Sequence, residues 1–294
     1  MRKEIESKIV EAIKERMGDK AEVTTTEVIK NNDMKLTGVV IRENGAKVSP
    51  TIYIDGFLSE IIDGDMTVEE AVESILDTYE EHKVPDCFDG FLSRLNKEDL
   101  LNNVEYQLVN REKNKERLEQ IPYEEYLDLA LIYRYRVSDV EDGAAYLTVT
   151  HDLAKKLDIT EEELTEAARK NEESKEYKVF TMASILAELM GVPEEMLAQG
   201  GPQMYVASNE SKLNGASAML NVKWFRELAD KVEDDLYILP SSIHELIMVP
   251  ASQMETEELR EMVASVNATE VKDDEVLSNT VYTYSRETDE IKVA

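Results

Sequence analysis

The stretch from Gln203 to Pro250, QMYVASNESKLNGASAMLNVKWFRELADKVEDDLYILPSSIHELIMVP, restricts the fold more than any other part of the chain, because its hydrophobic period changes within one continuous run. Met204 and Val206 alternate with polar or small neighbours, and Asn214-Gly215 supplies turn chemistry before the residues Ala216 to Leu220. That pattern predicts a β-hairpin. Val222, Phe225, Leu228, Ala229 and Val232 then recur at helical spacing beside Trp224, so a helix follows and ends near Asp234-Asp235. The short apolar run Leu236 to Leu239 stops at Pro240 and reads as a third strand. Ser242 and Glu245 have the spacing of a capping box, which predicts one turn of helix at that point.

Ahead of this unit, Ile5, Ile9, Ala12, Ile13 and Met17 mark one face of an opening helix that Gly18 ends. Residues 21–30, 34–42 and 46–54, separated by Asn31-Asn32-Asp33 and Glu43-Asn44-Gly45, form a three-stranded antiparallel meander. Phe57, Leu58, Ile61 and Ile62 suggest a short helix; Thr67 and Glu70 form a capping box for a longer one through Tyr79, stopped at Pro85-Asp86. Asn96 is read as a helix cap, and Tyr106 and Leu108 as part of a strand. The polar run REKNKERLEQ, 111–120, suits an exposed connection, with a solvated helix as the alternative, and sets a working division into regions 1–120 and 121–294.

Leu127, Leu129, Leu131, Tyr133, Tyr135 and Val137 alternate with Asp128, Ala130, Ile132, Arg134 and Arg136, the longest clear strand signal, with residues 144–150 as its partner across Asp142-Gly143. A helix from Asp152, a second opened by the Thr160 and Glu163 capping box, and a third over 181–190 closed by Gly191 follow. Gly200-Gly201-Pro202 lacks the lysine and hydroxyl of a phosphate loop and reads as a linker turn. Leu259, Met262, Val263 and Val266 describe a helix, and residues 281–284 with 291–293 a final hairpin. Helices and strands mix without steady strand-helix-strand alternation. The expected class is therefore α+β, mixed helices with mainly antiparallel sheets, in two sub-domains.

Charge narrows the function. The chain of 294 residues carries 63 acidic and 33 basic side chains, a formal net charge of -30. Binding to a phosphate backbone is driven by basic side chains that displace counterions, so direct nucleic-acid binding is not expected, and an anionic membrane surface is disfavoured for the same reason. The amino terminus lacks the apolar core of a secretory signal, and no stretch is apolar for long enough to span a bilayer. A single cysteine, Cys87, excludes an internal disulfide and fits a reducing compartment; its neighbours Asp86 and Asp89 disfavour a thiolate. A soluble cytoplasmic protein is expected.

Imidazole chemistry is confined to His82, His151 and His244. Ser241, His244 and Glu245 are the candidates for a serine nucleophile with its base, although no GxSxG elbow accompanies them. His151, Asp152, His244 and Glu245 are the candidates for a divalent metal, since imidazole and carboxylate suit zinc, manganese or iron; there is no HExxH and no paired CxxC. Against the hydrolase reading, Ser242 and Glu245 merely cap a turn; against the metal reading, a carboxylate beside a histidine arises often by chance in a chain this acidic. Arg134 and Arg136 are read as partners of nearby carboxylates, and Tyr133, Tyr135, Tyr282 and Tyr284 as core or cross-strand packing. Nothing in the sequence calls for a cofactor.

MYVASN, NGASAML, the helix bearing Trp224 and LYILPSSIHELIMVP, together with YIDGFLSEI and the TVEEAV helix nearer the amino terminus, resemble an uncharacterised bacterial family, domain-of-unknown-function family 5688. The resemblance covers nearly the whole chain. It implies a bacterial cytoplasmic origin and brings no activity, cofactor or catalytic residue. From the residues themselves the leading expectation is a non-enzymatic binding protein with an unidentified protein partner. The alternatives are a metal-assisted or serine hydrolase using His151, His244 and Glu245, and an acidic nucleic-acid mimic that occupies the basic groove of a DNA-binding protein.

Overall fold

A computed structural model describes residues 1–46, 49–83, 94–140, 143–197 and 201–294. Pro85, Asp86, Cys87, Asp142 and Gly200 lie outside the described residues. The class is α+β, with helices set against antiparallel sheets. The described residues group into two compact units, Met1–Lys30 with Met34–Leu95 and Asn31–Asp33 with Asn96–Ala294.

The first unit holds α1 (Arg2–Met17), β1 (Ala21–Ile29), β2 (Lys35–Glu43), β3 (Thr51–Tyr53), α2 (Asp55–Asp63) and α3 (Val68–Glu81). The three strands form the expected meander in the order β1-β2-β3. Its register sets Val23 opposite Ile41 and Val39 opposite Ile52, so these four share one face. Ile5, Ile9 and Ile13, four residues apart on α1, and Val72, Ile75 and Tyr79 on α3 bury against that face. Each fully buried branched side chain contributes roughly 1.5–3 kcal/mol over an exposed one, which is why the spacing decides the packing. The Thr67 and Glu70 capping box is present in both directions: Thr67 Oγ1 accepts from Glu70 N at 3.2 Å and Glu70 Oε2 accepts from Thr67 N at 2.8 Å.

The second unit continues with α4 (Lys97–Asn103), β4 (Val104–Asn110), α5 (Lys115–Leu118), β5 (Tyr123–Tyr126), β6 (Leu129–Val140), β7 (Gly143–Thr148), α6 (His151–Lys156) and α7 (Glu161–Glu173). Then follow β8 (Tyr177–Thr181), α8 (Met182–Met190), β9 (Tyr205–Asn209), α9 (Val222–Val232), β10 (Leu236–Leu239), β11 (Leu246–Pro250), α10 (Thr256–Thr269), β12 (Tyr282–Ser285) and β13 (Glu290–Val293). Asn96 caps α4 by accepting from Asp99 N at 3.0 Å. The polar run 111–120 belongs to this unit and makes short helical turns, with Asn114 and Leu118 buried.

Two sheets organise the unit. In the smaller one β6 lies between β4 and β5, and β7 pairs with β6 further along. Residues from Leu129 to Arg134 are buried on both faces of β6, so the alternation read in the sequence marks a central strand rather than a half-exposed one. The larger sheet has six strands in the order β13-β12-β10-β11-β9-β8, which leaves β8 at an edge. Helix α10 covers one face through Leu259 and Val263 against Leu239, Val249 and Val281. On α9, the Phe225 ring stacks at 5.5 Å on Tyr284.

A buried charged cluster ties β4, β6 and α7 together. Arg134, 2% exposed, reaches Glu105 Oε2 at 3.3 Å and lies 3.8 Å from the Tyr146 ring centroid. Lys175 meets the same Glu105 oxygen at 3.0 Å and Glu172 Oε2 at 3.2 Å; Tyr177 donates to Glu172 and stands 3.1 Å from Ser217 Oγ. Burial pushes the Glu105 carboxyl up, but Lys175 and Arg134 together bring it below the ordinary range. Burial raises Glu172, with Lys175 only partly opposing it.

The structure departs from two sequence expectations in the central stretch. Residues Gly215–Leu220 are a buried 3-10 helix, not the second strand of a hairpin. Strand β9 already has β8 on one side and β11 on the other, so no slot remains for a hairpin partner. The small side chains of Gly215, Ala216, Ser217 and Ala218 instead let the backbone pack closely. Ser242 and Glu245 do not open a helix: Ser242 Oγ accepts from His244 N at 3.0 Å, Ser242 bridges Val276, and β11 begins at Leu246. A Cβ on Gly215 would stand 2.3 Å from Ser208 Oγ, 2.6 Å from the His244 carbonyl and 2.8 Å from Asn209 N. Gly215→Ala therefore loses about 1–3 kcal/mol, read as a lower urea midpoint at unchanged slope; an unshifted midpoint would show that the backbone moves aside freely.

Candidate functional site

Ser241, His244 and Glu245 fall in the irregular segment between β10 and β11. Ser241 and Ser242 are buried, and the Ser241 carbonyl accepts from Leu277 N at 2.9 Å. His244 is held on both sides of its ring: Nδ1 accepts from Asn214 N at 3.2 Å and Nε2 lies 3.7 Å from Glu275 Oε1. Its carbonyl accepts from Gly215 N at 2.9 Å and from Ser208 Oγ at 2.8 Å. Among the described residues neither ring nitrogen meets a serine hydroxyl, so the arrangement lacks the nucleophile-base hydrogen bond that acyl transfer needs.

His151 and Asp152 open α6 and are exposed, with Thr150 capping the helix by accepting from Leu153 N at 3.1 Å. Among the described residues no group of three or more His, Cys, Asp and Glu side chains could hold a metal ion. His151, Asp152, His244 and Glu245 thus do not form one ligand set. His82 follows α3 and is exposed. Among the described residues no helix is long and apolar enough to cross a membrane.

What Glu245 does join is an apolar groove on the six-stranded sheet. Register sets Phe180 opposite Val206 and Val206 opposite Ile247, so three adjacent strands put apolar side chains on one face. Met182 and Ile185 of α8 line the wall, and Ser208, Asn209, Lys212 and Glu245 the polar end, around a cavity of about 390 Å³. Glu245 immediately precedes β11 and lines the same cavity as Ile247. Burial pushes its carboxyl above the ordinary range, and Glu275 adds to this, while His244 and the Ser242 hydroxyl oppose it. A sequence reading limited to catalytic spacing overlooks this groove; the signal was the aromatic and β-branched content of YKVFT, 177–181, which forms β8.

The second feature of this region is the outer side of α8. The sequence MASILAELM buries only Ala187. Leu186 is 40% exposed, Leu189 78%, Met190 63% and Met196, just beyond the helix, 69%. Val179 and Phe180 on the edge strand are also exposed. Glu188, Glu194, Glu195 and Lys178 surround these apolar groups in sequence. Thr181 caps α8 by accepting from Ser184 N at 3.0 Å, and Gly191, at φ 65, closes it in a left-handed turn.

Comparison with known proteins gives one family model, described as a family of unknown function (DUF5688), which matches residues 3–286. Neither the curated proteins nor the solved structures contain a match.

The raised carboxyl of Glu245 has a measurable consequence. The folded protein keeps this proton to higher pH than the unfolded chain, so the cost of ionising it is absent below about pH 4.5 and grows as pH rises from there. Glu245→Gln, which cannot ionise, should gain stability relative to the parent between pH 4 and pH 7. His244, Glu275, Lys212 and Glu188, which face or neighbour the site, are present in both proteins and largely drop out of the difference. Urea midpoints that stay equally spaced at the two pH values would contradict the assignment.

Proposed function

The chain belongs to the DUF5688 family, and from that premise, which brings no activity of its own, we propose that it is a non-enzymatic binding protein of the bacterial cytoplasm that docks a protein partner through β8 and α8. The observation that carries this reading is the apolar outer side of α8. A helix whose apolar residues face solvent gains nothing from the fold for them, and clustered exposed side chains of this kind mark interaction surfaces. Among the described residues strand β8 adds a sheet edge beside it, the kind of backbone to which an extended segment adds as a further strand. The partner surface is apolar and flanked by basic residues, since Glu188, Glu194 and Glu195 rim the helix on a chain of net charge -30. The exposed acidity then steers encounter more than it adds affinity.

Leu189→Lys combined with Met190→Lys tests the reading. Both positions are exposed and lie in the last turn, where basic side chains complement the helix dipole, so stability should stay within about 0.5 kcal/mol. Loss of two apolar anchors should weaken a complex at least ~10-fold. The measurement is quantitative mass spectrometry of proteins retained from a native-host lysate by the parent and the variant. Partners held equally by both would remove this face from the interface. A parent dimer that the variant converts to monomer would show that a second copy covers it.

A further inference from the structure

The groove behind α8 borders the outer side of that helix, with Phe180 and Glu188 common to both. Its floor is Phe180, Val206 and Ile247, its wall Met182 and Ile185, and its volume of about 390 Å³ holds far more than a water, whose share of the liquid is about 30 Å³. The polar end is chemically asymmetric. Ser208 Oγ spends its proton on the His244 carbonyl at 2.8 Å, and Asn209 donates to the Leu213 carbonyl at 2.8 Å while its oxygen accepts from Ser211 Oγ at 3.0 Å. These two are engaged internally. Glu245 is different: its side-chain partner is the Ser242 hydroxyl, and among the described residues no lysine or arginine forms an ion pair with it. A carboxylate offers about four acceptor positions, so capacity remains beyond the Ser242 hydroxyl, and Glu245 lines both this groove and the neighbouring open pocket of Ser242, His244 and Glu275.

We propose that this groove binds small organic cations with an apolar body, primary or secondary alkylamines, with the hydrocarbon over Phe180, Val206 and Ile247 and the ammonium group on Glu245. An ammonium supplies the lysine- or arginine-like counter-charge that Glu245 lacks among the described residues, in surroundings of lowered dielectric where a charge-assisted hydrogen bond is strongest. An anionic ligand fits worse. Glu188 and Glu245 outnumber Lys212 among the lining charges, and the chain as a whole is strongly acidic. The apolar floor selects amines that carry a chain of several carbons over ammonium itself.

The test uses the full chain with n-hexylamine, 1-hexanol and hexanoate as probes, dissociation constants being read by ligand-observed NMR. Hexylamine should bind about 10-fold more tightly than hexanol. Glu245→Gln should abolish that preference and leave hexanol within about twofold, which reports an intact groove; Glu245→Asp, which keeps the charge, should retain the preference. Phe180→Ala should weaken amine and alcohol alike. Glu227→Gln, an exposed acid on α9, should change neither, separating the local carboxylate from the general field. The Leu189→Lys and Met190→Lys variant should bind hexylamine as the parent does, so failure here and failure of the docking surface are distinguishable. Amine binding no tighter than alcohol, a preference that survives Glu245→Gln, or hexanoate binding tightest would overturn the proposal.

Discussion

The contact on which the second unit most depends is the buried meeting of Arg134, Glu105, Lys175 and Glu172. An arginine 2% exposed is costly to desolvate, and its Nε and Glu172 Oε2 accept or donate no hydrogen bond, although Lys175 Nζ stands 3.2 Å from the latter. The cluster is held because each charge has an opposite neighbour: removing one partner leaves the others buried and uncompensated, a loss of about 3–5 kcal/mol in such settings. Glu105 comes from β4, Arg134 from β6, Glu172 from α7, and Tyr177 opens β8. Tyr177 and Ser217 extend the chain of contacts to the larger sheet and the 3-10 helix. One set of charges thus fixes where the two sheets meet.

Tyrosines repeat the same device at smaller scale. Tyr106 and Tyr133 both donate to Glu124 Oε1, at 2.5 and 2.9 Å, and Tyr282 donates to Asp128 at 2.5 Å. Burial, and after it the accepting carboxylates, push these phenols up, so they remain donors across the physiological range. Each ring supplies core area while its hydroxyl stays satisfied. The acidity of the chain is in this respect structural as well as solvating. Carboxylates such as Glu105, Glu124 and Asp128 are internal acceptors, whereas others merely cover the surface.

Much of the framework was legible in the sequence because local signals and tertiary packing agree there. The Thr67 and Thr160 capping boxes, the Asn96 cap, the meander turns and the period of two along β6 all name their elements directly. The central stretch misled at Asn214-Gly215, where turn chemistry serves a 3-10 helix instead. Which strand pairs with β9 is decided by β8 and β11, and neither is visible from the local pattern. Ser242 and Glu245 misled for a similar reason: spacing alone does not tell an N-cap from a hydroxyl that accepts two residues on. The site was half legible. Glu245 stood among the candidates on the strength of its histidine neighbour, but its relevant surroundings, Phe180, Val206 and Ile247, come together only through strand register.

The position of β8 has a kinetic corollary. Within the six-stranded sheet it has a single neighbouring strand, and α8 follows it without an intervening loop while burying one residue of its own. Strand β8 pairs with β9 alone and α8 buries little, so the β8–α8 segment opens with a smaller free energy than β10 or β11, which are flanked on both sides. Amides of that edge therefore exchange ahead of those in the interior strands, which stay protected.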